Sequence, residues 1–172
     1  MEALSDWMIS LPIGDFVATH DWVWPFCETM HFVGMCTLLG TVGAVDLRIL
    51  GVAKGISVQL LEKFIPLGVI AFVINAVTGF IFISGNPVGG PMEYLTNLSL
   101  QIKMLIVLIA GINLLIFYVA GIEKSLAAVG PDGDAPGRAK AVAAVSIFAW
   151  IFVIIMGRFI MYNDTLLYAL GM

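Results

Sequence analysis

Within the stretch FCETMHFVGM, residues 26–35, four side chains able to do chemistry stand within about two helical turns of one another: Cys27, Glu28, His31 and Met35. The residues around them are apolar. A carboxylate and an imidazole are costly in hydrocarbon unless a partner or a task holds them there. Glu28 and His31 are at i and i+3, one turn apart on a helix, so Glu28 can orient His31 or exchange a proton with it. Cys27, His31 and Met35 recur every four residues and share one helix face. Thiolate, imidazole and thioether form a soft donor set suited to copper, and Cys and Met are equally at home as packing residues.

Haem b is a second candidate. His31 is the single histidine inside an apolar run, and it would be one axial ligand. His20 lies 11 residues earlier on the same side, so it does not readily sit across one haem from His31. The second ligand would then be a Met or a histidine of another subunit, with Lys103 and Arg158 holding the propionates. A quinone is the other occupant considered for the same site. Glu28-Thr29-Met30-His31 also has the Glu-x-x-His spacing of di-iron carboxylate bundles. Those sites use two such motifs with further glutamates, and this chain has one motif and no other glutamate within a span. No nucleophile triad, Walker loop or dinucleotide fingerprint is present.

The elements that position these residues are legible in the composition. Of 172 residues, 60% are hydrophobic and 12% charged, and the mean hydropathy is +1.03. This is the composition of a membrane domain, and no basic patch points to nucleic acid. Four apolar runs, from about Pro25 to Val45, Phe64 to Ser84, Ile102 to Ile122 and Val142 to Tyr162, are each near the ~20 residues that cross a bilayer as a helix. The expected fold is all-α: one integral-membrane four-helix bundle. Residues 3–19 add a short amphipathic surface helix, with Leu4, Trp7, Met8 and Leu11 at helical spacing before a break at Pro12. Residues 84–91 and 129–138 read as turn-rich loops. Cys27 and Cys36, about two and a half turns apart, lie on opposite faces and are not expected to pair. Residues 1–20 lack the basic start of a cleavable signal peptide, so span one is expected to serve as its own insertion signal.

Six of the eight Lys and Arg fall in the first and third loops: Arg48, Lys54, Lys63, Lys124, Arg138 and Lys140. The positive-inside rule puts those loops in the cytoplasm and both termini outside, in the periplasm if the membrane is a bacterial inner membrane. Glu28 and His31 on span one, Lys103 at the start of span three, and Arg158 with Tyr162 near the end of span four then share one shallow outer layer. Glu28 is expected to pair with Lys103 or Arg158 there. Asp46 and Arg48 anchor the cytoplasmic end of span one. Asn75 and Asn113 are expected to hydrogen-bond between helices.

The segments WPFCETMHFVGM…GTVGAVDLRILG, QIKMLIVLIAGINLLIFY and AWIFVIIMGRFIMY resemble a family of small bacterial four-span inner-membrane proteins of uncharacterised function. The resemblance covers nearly the whole chain. It runs through Trp24, Pro25, Glu28, His31, Asp46, Arg48, Lys103, Asn113, Gly157, Arg158 and Tyr162. It implies the four-helix membrane fold and no activity. The first span is more remotely similar to b-type cytochrome and copper-handling membrane proteins. The leading expectation is a redox-associated subunit holding haem b or a quinone through His31, Glu28, Lys103, Arg158 and Tyr162. Copper handling through Cys27, His31 and Met35 is one alternative. The other is a non-catalytic subunit that docks further membrane or periplasmic chains, a cytochrome c among them, or a second copy of itself. Glu2, Asp6, Asp15, Asp21, Glu93 and Asp164 make the outer face acidic, which suits a basic partner.

Overall fold

Long apolar runs leave the backbone one economical solution, since a helix satisfies its own N–H and C=O groups. The computed structural model describes residues 1–52 and 54–171 and contains no strand among them. Four long helices dominate: α3 (Val23–Leu50), α5 (Ile65–Ser84), α7 (Leu98–Val119) and α9 (Gly137–Phe159). Each belongs to a stretch long and apolar enough to cross a membrane. Shorter helices decorate the two ends. One end, here the terminal face, carries α1 (Glu2–Ile9), α2 (Ile13–Thr19), α6 (Gly90–Leu95), a 3-10 turn at Ile160–Tyr162 and α10 (Asn163–Ala169). The other, the loop face, carries α4 (Val58–Glu62) and α8 (Ile122–Leu126).

Local chemistry sets the helix boundaries. Asn97 caps α7, its side chain accepting from Leu100 N–H at 3.1 Å, so this helix starts before the expected Ile102. It stops at Val119 because Gly121 takes a left-handed φ of 67°. Helix α9 spans Gly137–Phe159 rather than 142–162. The largest difference is in α3, which starts at Val23 and runs to Leu50, past Val45. Asp46 and Arg48 end the apolar run without ending the helix, because both are buried against other parts of the protein. Gly51, at φ 94°, then closes the helix: its N–H donates to the Arg48 carbonyl at 3.1 Å and the next N–H, of Val52, to the Leu47 carbonyl at 3.0 Å. The surface element expected over residues 3–19 is two helices with Pro12 between them. In α1, Ser5 and Met8 are the buried residues, and Trp7 meets Phe80 with ring centroids 6.0 Å apart.

The long helices pack as two antiparallel pairs, α3 with α5 and α7 with α9, joined by contact of α3 with α9. The α3–α5 seam is lined by small residues. A Cβ on Gly34 would stand 2.5 Å from Asn75 Nδ2 and 3.1 Å from the Ala71 carbonyl, so only glycine lets the helices approach there. Gly68 does the same opposite Thr41, whose Oγ1 would lie 2.7 Å from an added Cβ. Helix α7 is the least enclosed, with most of its large apolar side chains exposed.

The loop face is locked by one residue. Arg48 has no exposed surface. Its Nε donates to Ile56 O at 2.5 Å, and one terminal nitrogen donates to Pro131 O at 2.5 Å, Gly130 O at 3.1 Å and Gly133 O at 3.3 Å. The two loops also meet through Gly55 N–H to Pro131 O at 3.0 Å. Lys54 and Lys140 reach Asp134 at 3.0 and 3.5 Å. Below them lies a core of Val45, Ile49, Val58, Ile122, Leu126 and neighbouring alanines. Asp46 meets the Ser146 hydroxyl on α9.

Candidate functional site

His31 is half-buried on the face of α3 that meets α5, and its ring lies 5.4 Å from that of Phe82. Its Nδ1 is 2.7 Å from Thr78 Oγ1. The Thr78 hydroxyl has one proton, which goes to the Ile74 carbonyl at 2.7 Å, one turn back. Thr78 is therefore the acceptor and His31 Nδ1–H the donor. In the neutral ring Nε2 then carries the free lone pair. Among the described residues it has no hydrogen-bond partner. The imidazole is thus fixed in orientation and tautomer, with one nitrogen left to take a proton or a ligand.

Glu28 is exposed, and the Trp24 indole N–H donates to its Oε1 at 3.0 Å. This i, i+4 bond holds the carboxylate along α3. Tyr94 of α6 stands within Coulombic reach of it. Burial first, then the carboxylates of Glu93 and Glu28, push the Tyr94 phenol above its ordinary value. The phenol stays protonated at neutral pH and remains a donor.

Lys103 is half-buried and lies along α9: a Cβ on Gly157 would be 3.5 Å from its Nζ. It turns inward instead of reaching the surface, and its charge is felt at His31. Among the described residues the ion pairs are those of Asp134. The expected pairing of Glu28 with Lys103 or Arg158 is therefore not formed, since Glu28 turns to Trp24. Arg158 is exposed and bonds its own helix neighbour, with Nη2 3.5 Å from the Tyr162 hydroxyl and the guanidinium 5.3 Å from the ring centroid. Lys103 is thus within Coulombic reach of His31 and Glu28 within Coulombic reach of Tyr94, and Arg158 with Tyr162 forms a separate exposed pair.

Cys27 and His31 belong to the packing seam. Cys27 is buried in a cluster with Val17 and Val23, against Ile81 and Phe82, and Cys36 is exposed on the opposite face. Among the described residues, no three His, Cys, Asp or Glu side chains converge as a metal site. His20 is exposed and stacks on Phe16 at 4.5 Å. Asn113 donates across to Val142 O of α9 at 3.0 Å, as expected of an interhelical amide. Asn75 instead donates to Ala71 O of its own helix at 2.9 Å. Thr78 and Tyr94 escaped the sequence reading. A threonine one turn after Asn75 in an otherwise apolar run is the trace Thr78 leaves, and Tyr94 leaves none.

No family model matches the chain, and neither a curated protein nor a solved structure is significantly similar to it. The chemistry of the site rests on its own geometry.

Proposed function

We propose that the chain is a multi-pass subunit of a bacterial inner-membrane electron-transfer system that takes a quinone headgroup in the layer formed by His31, Lys103, Tyr94 and Glu28. The terminal face is the periplasmic one in this reading. Its short helices carry Glu2, Asp6, Asp15, Glu93 and Asp164, the turn before α3 carries Asp21, and the loop face carries Lys54, Lys63, Lys124, Arg138 and Lys140. The observation that carries the proposal is the commitment of His31 Nδ1 to Thr78, which leaves Nε2 as an acceptor beside an ammonium without an ion-pair partner.

Oxidation of a quinol to a quinone releases two protons and two electrons. His31 Nε2 accepts one hydroxyl proton and the Glu28 carboxylate, exposed on α3, accepts the other, both then passing to water, while Lys103 and Tyr94 donate hydrogen bonds to the two oxygens that become carbonyls. The two electrons leave one at a time to successively docked one-electron carriers, and the acidic terminal face suits a basic haem protein such as a cytochrome c. Quinone is favoured over haem b because it needs no second axial ligand. It is favoured over copper because Cys27 is enclosed by the packing between α2, α3 and α5.

The test is solvent extraction of protein purified in mild detergent, with quinone, iron and copper counted in one sample. Near-stoichiometric quinone, lost in both His31→Ala and Lys103→Met, is the expected result. Full quinone content in His31→Ala overturns the proposal. Stoichiometric haem iron would replace quinone by haem, and stoichiometric copper would restore the Cys27, His31 and Met35 reading.

A further inference from the structure

Helix α2 lies beside the terminal-face end of α5 and leaves an open groove of about 900 Å³ between them. Its walls are Ile13, Phe16 and Val17 on one side and Ala76, Val77 and Phe80 on the other. The helix is held in place, not merely laid on the surface: Val17 is buried, and a Cβ on Gly85 would come within 2.8 Å of it. The tilted contact of Trp7 with Phe80 borders the same groove. Asp15 is the single ionisable side chain in the lining. Among the described residues its carboxylate has no ion pair.

We propose that this groove seats one acyl chain of a phospholipid whose primary-ammonium headgroup pairs with Asp15. The apolar walls exclude a soluble ligand. The carboxylate at the rim, on a face that also carries Asp6 and Asp21, repels an anionic headgroup. It selects an ammonium that can donate hydrogen bonds over a methylated one that cannot. The inference rests on the bilayer part of the proposed function and is independent of the quinone.

The experiment uses the full chain, delipidated in mild detergent. It is placed in nanodiscs holding equimolar phosphatidylethanolamine, phosphatidylcholine and phosphatidylglycerol with identical chains. It is then re-extracted, and the lipid that copurifies is counted by mass spectrometry. Phosphatidylethanolamine should exceed each competitor by about threefold, the size expected of an exposed ion pair. Asp15→Asn should equalise phosphatidylethanolamine and phosphatidylcholine. Ala76→Trp, a substitution on the exposed groove wall, should lower the retention of all three. Equal retention by the wild type overturns the proposal, as does a preference over phosphatidylcholine that survives Asp15→Asn or undiminished retention in Ala76→Trp. A chain that stays soluble without detergent and retains no phospholipid overturns the bilayer reading as well.

Discussion

At the loop face the fully buried guanidinium of Arg48 is met by carbonyls of four residues, whereas at the terminal face the half-buried ammonium of Lys103 lies along α9 with no ion pair among the described residues. Both are cations at the end of a long helix, and their surroundings differ in kind. The Nε and one terminal nitrogen of Arg48 are answered, the other terminal nitrogen has no partner among the described residues, and donors answered by several segments hold those segments together. An unanswered donor weakens a structure unless something else arrives to answer it. The loop face holds its segments together through one cation, and the terminal face leaves its half-buried cation without an ion pair among the described residues.

The comparison breaks most readily at Arg48. Arg48→Met should destabilise the protein by about 3–5 kcal/mol, since several buried carbonyls lose their donor at once. Thermal unfolding in detergent, followed by circular dichroism, measures this. If Arg48→Met melts within a degree or two of the wild type, the latch is not structural. Gly34→Ala comes next, at about 1–3 kcal/mol, because its Cβ would press on Asn75 and the Ala71 carbonyl in the α3–α5 seam. Lys103→Met should move stability the other way, raising it by about 1 kcal/mol in quinone-free protein, as removal of an uncompensated charge does. The opposite signs at the two cations are the sharpest form of the contrast, and matched melting curves of both variants decide it.

The smallest effect concerns pH. A hydrogen bond from Lys54 first, then the charges of Lys140 and Lys54, hold the Asp134 carboxyl below its ordinary value. A depressed folded-state value means the pairing contributes above the unfolded carboxylate range, and the contribution is lost as pH falls through about 4 and below. Hydrogen exchange at the Gly55 amide, bonded to Pro131 O, should therefore quicken modestly between pH 5 and 3 once intrinsic rates are divided out. The His31 region should show no matching step from this source.

Much of the fold was legible because bilayer-length apolar runs are a one-dimensional signal. The pair Arg158 and Tyr162 was legible for the same reason, since i, i+4 spacing on one helix suffices to predict contact. What spacing cannot give is the neighbour. Cys27, His31 and Met35 do recur at helical spacing, yet only the folded chain puts α5 against the Cys27 and His31 face and makes Thr78, 47 residues away, the partner of His31. The end of α3 was misplaced for a related reason. Asp46 and Arg48 look like exits from the apolar phase until α9 and the two loops close over them. Glu28 was expected to seek a cation, and Trp24, one turn away, offered an indole N–H instead.

The latch also imposes an order on biosynthesis. Arg48 leaves the ribosome on the first long helix, but its Gly130 acceptor follows 82 residues later. At about 5–20 residues per second, the guanidinium waits several seconds with most of its acceptors not yet made. Until then the guanidinium lacks three of the four carbonyls that meet it in the folded chain. The closure of the loop face is thus a late event in the life of the chain: a product truncated before the third loop lacks the carbonyls of Gly130, Pro131 and Gly133 and leaves Arg48 uncovered.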